Sequence, residues 1–187
     1  MIKPIPYYRN YFCNKDLNRL AGIDENGVTD IKIVDTEDNP VNLKEFFVKD
    51  NVKYVTISVP ENTGTEEEPV IEDIFHYYMQ TGSSGTVEEI EALPDKPVIG
   101  YSLYRSKNFI METYQYEGQT VSRILNLQMK NQAAFKQIFG FCEIKTGLYF
   151  NVIESRIPGK LAGLYFYPLN RKAVVFVDIS LGEGFLW

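Results

Sequence analysis

The side chains able to do chemistry are few and scattered. His76 is the one histidine in 187 residues, set among Phe75, Tyr77 and Tyr78. Metal sites and nucleophile triads need further partners, so it reads as a packed or surface residue. Cys13 and Cys142 lie far apart and match no metal-ligand spacing. Two thiols fit a reducing compartment better than a disulfide framework, and both read as buried or half-buried thiols. No Gly-x-Ser-x-Gly or Ser-x-x-Lys nucleophile motif occurs, and Cys142 with His76 makes no recognisable pair. Gly82-Ser83-Ser84-Gly85 is glycine-rich, but no Gly-Lys-Ser/Thr follows and its neighbours are acidic, so a flexible link is the better reading than a phosphate cradle.

Carboxylates are plentiful, and residue type alone leaves acid–base work open. Glu112, Glu143 and Glu154 all sit on strand candidates and could supply a glycosidase pair, but nothing in the sequence selects two of them. Asp24-Glu25-Asn26-Gly27 and Asp35-Thr36-Glu37-Asp38-Asn39 hold oxygen ligands without the spaced acids and distal glutamate of a calcium loop; both read as turns. The expectation is therefore no catalytic, cofactor-binding or metal-binding residue, and no cofactor.

Across the whole chain, 44% of the residues are hydrophobic and 14% aromatic, with 13 Tyr and 12 Phe. That is enough apolar side chain for a core and a bias toward strands. The N-terminus shows no apolar signal region, and no stretch approaches the roughly 20 apolar residues of a membrane helix. A cytoplasmic or virion-assembled location, with no membrane partner, is expected.

The net charge of −6 is unevenly placed. Residues 1–97 carry 9 basic and 19 acidic side chains, and residues 98–187 carry 10 and 6. Glu61 to Asp95 holds ten acids and no Lys or Arg. Such a chain can dock directionally, although a solvated acidic surface insertion is the better reading of the acidic run. Lys130, Lys136, Lys145, Arg156, Lys160, Arg171 and Lys172 are scattered rather than gathered in a stripe, which argues against nucleic acid.

The elements that must carry these residues read as α+β and β-rich. The expectation is a mainly antiparallel sheet, as a sandwich or partly closed barrel, with a few short helices. One domain spans 1–187, with an aromatic N-terminal arm at 1–20, an acidic insertion with short helices at 60–97 and a β-rich core at 98–187. Helices are expected after Asn42 (Leu43, Phe46 and Phe47 on one face), over Val70–Gln80, after the capping-box pair Thr86 and Glu89, and over Gln132–Phe139. Residues 119–130 fit either state. Strands are expected at 31–34, 52–59, 98–104 and 109–116. A four-strand meander is expected over 141–179, in which Gly147-Leu148-Tyr149-Phe150 recurs as Gly163-Leu164-Tyr165-Phe166.

The function expected is a non-enzymatic structural or adaptor subunit of a larger assembly, homo- or hetero-oligomeric, for example a tailed-phage connector or tail-ring protein. Its partner-binding residues would be the aromatic groups near the two ends, Tyr7, Tyr8, Tyr11, Phe12, Phe185 and Trp187, because large rings are costly to leave in water. The alternatives are a small-molecule or carbohydrate-binding β module and, behind it, a two-carboxylate hydrolase.

Overall fold

The computed structural model describes residues 1–13, 19–82, 85–96, 103–136, 138–152 and 162–178. Among them every regular element is a strand. The α+β expectation is overturned: four antiparallel sheets and no helix are present among the described residues. No helix there is long and apolar enough to cross a membrane.

In chain order the strands are β1 (Asn10–Cys13), β2 (Leu20–Asp24), β3 (Gly27–Ile31), β4 (Asn42–Lys49), β5 (Val52–Asn62), β6 (Ile71–Thr81), β7 (Val87–Ile90), β8 (Tyr104–Arg105), β9 (Phe109–Tyr116), β10 (Gln119–Asn126), β11 (Asn131–Lys136), β12 (Ile138–Ile144), β13 (Gly147–Val152), β14 (Gly163–Pro168) and β15 (Val175–Asp178). The sheets are β1–β3, β4–β7, β8–β11 and β12–β15, each pairing only sequence neighbours. Short turns suffice for such meanders. Asn26-Gly27, for example, closes β2 onto β3, with Gly27 at φ 112°, a conformation that strains any side chain.

The four expected helices are all strands, each for an identifiable reason. Leu43, Phe46 and Phe47 mimic helical spacing because β4 carries a bulge between Leu43 and Glu45, which adds a residue to the period of two. Phe47 stacks on its cross-strand partner Tyr54 at 5.0 Å. Val70–Gln80 has an apolar helical stripe, but its β-branched and aromatic residues suit a strand, and β6 pairs with β5 over eleven positions from Val52↔Thr81 to Asn62↔Ile71. Glu89 caps no helix; β7 pairs with β6 and the Glu89 carboxylate meets His76 Nδ1 at 2.8 Å. Within Gln132–Phe139, residues 132–136 belong to β11 and 138–139 to the start of β12, where a register shift lies between Ile138 and Gly140; Gln137 is outside the described residues. Residues 119–126 are strand, closed by a turn over 127–130. The meander expected at 141–179 is present as β12–β15.

Contacts divide the chain into two compact units. The first takes residues 1–7 and 30–97, the second 8–29 and 98–187. In the first, Ile2, Ile5, Ile33, Phe46, Phe47, Val55, Ile57 and Tyr78 are buried around sheet β4–β7. Pro4 and Pro6 cannot donate backbone hydrogen bonds, and the buried Gln80 amide serves the residue between them: Ile5 N donates to Gln80 Oε1 (2.7 Å) and Gln80 Nε2 to Ile5 O (3.0 Å).

The second unit is built on sheet β12–β15, which is covered on both faces. Leu148, Phe150 and Val152 of β13, with Tyr165 and Tyr167 of β14, pack against Phe109, Met111, Ile124 and Phe135 of sheet β8–β11. On the opposite face Cys142, Ile144 and Leu164 pack against Phe12, Ala21 and Ile23 of β1 and β2. Successive residues of a strand point to opposite faces, so a doubly covered strand must be apolar at consecutive positions. That requirement explains the recurring Gly-Leu-Tyr-Phe. Asn126 ties the layers together: its Nδ2 donates to the Pro168 and Leu169 carbonyls (3.2 and 3.3 Å), and its Oδ1 accepts from Gln128 N and Met129 N.

Phe150 is fully buried, 4.9 Å from the Phe135 ring and stacked at 5.6 Å on Tyr165. Phe150→Ala should destabilise the second unit by about 3–5 kcal/mol, read by chemical denaturation as a lowered midpoint.

Candidate functional site

Two features, one in each unit, stand out. In the second unit a basin of about 880 Å³ is lined by Arg9, Glu25, Tyr104, Lys107, Glu143 and Lys145, with Gln128 at its margin. Its residues come from the start of the unit, the β2–β3 turn, β8, the β8–β9 turn and β12 with the turn after it. Tyr104 Oη donates to Glu143 Oε2 (2.6 Å) and Asn108 Nδ2 to Glu143 Oε1 (2.9 Å). The Tyr104 ring is held at 4.5 Å from Phe141. Ser106 Oγ accepts from Asn108 N and Phe109 N, which sets the turn. Arg9 Nη1 donates to Glu25 Oε1 (2.7 Å), and Lys145 N to Glu25 Oε2 (2.9 Å).

Burial opposes the Glu143 charge, but hydrogen bonds from Tyr104, Ser106 and Asn108, with the nearby Arg9 charge, together hold its pKa below the ordinary value. Burial, then the Glu143 hydrogen bond and charge, push the Tyr104 phenol up to about 12, so it stays a donor. Both oxygens of both carboxylates are thus engaged within the unit. The basin carries three cationic side chains against two anionic ones, and the Lys107 and Lys145 ammonium groups have no side-chain partner among the described residues.

In the first unit β5 and β6 run beyond their sheet. Pairing with β4 ends at Ser58, and pairing with β7 covers only Tyr77–Gln80. Val59–Asn62 and Ile71–Ile74 therefore form a two-stranded spur. A bare two-stranded ribbon is marginally stable in water, yet apolar groups are exposed on this one and at its two ends: Ile71 is 65% exposed, Val70 in the turn and Phe75 at the base 50% each. Pro60 stands just past the end of β4 cover, where its missing N–H discourages a further strand. The tip is a built turn. Asn62 Oδ1 accepts from Gly64 N and Val70 N, both 3.0 Å. Thr65 N donates to Glu68 O (3.1 Å) and Glu68 N to Thr65 Oγ1 (3.0 Å). A Cβ on Gly64 would lie 2.3 Å from Glu68 O and 2.6 Å from Val70 N, so the chain closes only with glycine there. Glu66 and Glu67 stand exposed at the corner of that turn.

The side chains singled out from sequence fall as follows. Cys13 and Cys142 are buried, and burial raises their thiols to about 12 and about 11, which keeps both protonated and unreactive at neutral pH. Glu112 is paired with Arg123 at 2.5 Å, and Glu154 lies outside the described residues. Asp24 and Asp35 organise turns: Asp24 Oδ1 accepts from Asn26 N, and Asp35 Oδ1 from Glu37 N and Asn39 N. No group of three potential metal ligands is gathered among the described residues. Of the six terminal aromatic residues, Tyr11 and Phe12 are buried by their own chain and Tyr8 is half-buried. Tyr7 is 56% exposed, with Lys53 Nζ 6.0 Å from its ring. Phe185 and Trp187 lie outside the described residues. Sequence reasoning missed the basin and the spur. The dense acids and the Thr-Gly-Thr turn residues at 63–65 were the available signal for the spur.

Comparison of the chain with family models, curated proteins and solved structures gave no match in any of the three.

Glu143 supplies a pH signature. Its pKa is depressed in the folded chain, so its contribution to stability is present above the unfolded value of about 4.3 and is lost as pH falls through the folded value. Glu143→Gln should therefore lower thermal stability at pH 7, and its difference from the parent should shrink as pH falls below the unfolded value, read by melting across that range.

Proposed function

We propose that the protein is a non-enzymatic structural subunit of a larger protein assembly, of the kind that builds a virion connector or tail ring, and that it reaches its neighbour through the β5–β6 spur. The observation that carries this reading is the spur itself: an ordered two-stranded projection with Ile71, Val70 and Phe75 exposed behind an acidic turn. Large apolar side chains left exposed beside charged ones are the kind of surface that a partner covers. The terminal aromatic residues Tyr7, Tyr8, Phe185 and Trp187 remain part of the proposal as further contacts.

The alternatives draw less support. A hydrolase needs a carboxyl group with a raised pKa as general acid, and Glu143 is shifted the other way. A carbohydrate module would use stacked rings, but one tyrosine lines the basin, Tyr104, and its hydroxyl is committed to Glu143.

Sedimentation velocity tests the reading. At low ionic strength the 21.5 kDa chain should show a mass that rises in multiples with concentration. A strict monomer across the concentration range overturns it.

A further inference from the structure

The units differ in charge as well as in fold. Residues 1–7 and 30–97 contain six Lys and Arg against sixteen Asp and Glu, a net of −10, while residues 8–29 and 98–187 contain thirteen against nine, a net of +4. The spur is the extreme of the first: Val59 to Phe75 holds six acids and no Lys or Arg. In the second, the basin brings together Lys107 and Lys145, whose ammonium groups have no side-chain partner among the described residues.

We infer that the acidic turn of one copy's spur docks into the basic basin of a second copy, Glu66 and Glu67 facing Lys107 and Lys145. This rests on the assembly reading and names its partner. Three observations point to that occupant. First, the charges are complementary: the exposed corner of the turn offers two carboxylates, and the basin offers two ammonium groups, Glu25 and Glu143 being already engaged with Arg9, Lys145 N, Tyr104 and Asn108. Secondly, the basin, at about 880 Å³, has the size of a pocket that takes a ligand of a few residues. Thirdly, both parts are preorganised, the turn by Asn62 and Thr65 and the basin by the Glu143 and Glu25 hydrogen bonds. Preorganised groups lose little freedom on docking. Donor and acceptor lie on different units of one chain, so each copy offers one and receives the other. A heterologous contact of that kind closes into a ring or runs on as a filament.

Charge reversal tests the pairing. The positions are exposed, and circular dichroism identical to that of the parent confirms the fold of each variant. Glu66→Lys with Glu67→Lys, and separately Lys107→Glu with Lys145→Glu, should each weaken association in sedimentation velocity by about tenfold or more at low salt, where such pairs act most strongly. A 1:1 mixture of the two variants should recover association, because the reversed turn of one then faces the reversed basin of the other. Variants that assemble like the parent, or a mixture that stays dissociated, overturn the docking while the assembly reading stands. A parent that never associates removes both.

Discussion

The second unit depends on burying one sheet from both sides. Strands β12–β15 meet sheet β8–β11 on one face and β1–β2 on the other, and the middle sheet supplies the apolar face on which each outer layer packs. The polar groups of the basin are pinned to that arrangement. Glu143 lies on β12, next to the buried Cys142 and Ile144, and Tyr104 is aimed at it by a ring contact with Phe141, which itself packs on the core. Hydrophobic burial thus fixes where the charges stand, and the hydrogen bonds complete their orientation.

The first unit has the opposite character. It carries sixteen acids against six basic residues, so the pairs Lys3–Asp38, Lys44–Asp73 and Lys96–Glu45 leave most of its carboxylates without a basic partner to balance them. Lys44 Nζ lies 3.6 Å from Asp73, and such exposed pairs contribute about 0–1 kcal/mol at most. Internal ion pairs therefore do little to offset the acidic excess, and a cationic neighbour offsets it more fully.

The strands that were legible in the sequence are those whose local pattern and tertiary fate agree. Phe109–Tyr116 and the runs of β13 and β14 are apolar segments bounded by Glu117-Gly118, Lys145-Thr146-Gly147 and Asn170-Arg171, and burial on the core keeps them extended. The misread segments are those where local pattern and long-range pairing conflict. The bulge in β4 reproduces a helical spacing, Ala133 and Ala134 favour a helix until β10 claims them, and β6 is decided by eleven cross-strand partners rather than by its own stripe. The basin was illegible because its charges come from segments more than a hundred residues apart, as in the hydrogen bond from Lys145 N to Glu25. The unequal charge of the two halves was legible. What was hidden is that the nearly neutral segment 8–29 joins the later residues.

That interleaving has a mechanical consequence. The chain passes from one unit to the other three times, at 7/8, 29/30 and 97/98, so neither unit is a contiguous stretch that could be excised or expressed alone. A protease cut at 7/8 or 29/30 leaves residues 30–97 covalently joined to 98–187, whereas a cut at 97/98 leaves 98–187 held to its companion segment 8–29 by non-covalent contacts alone.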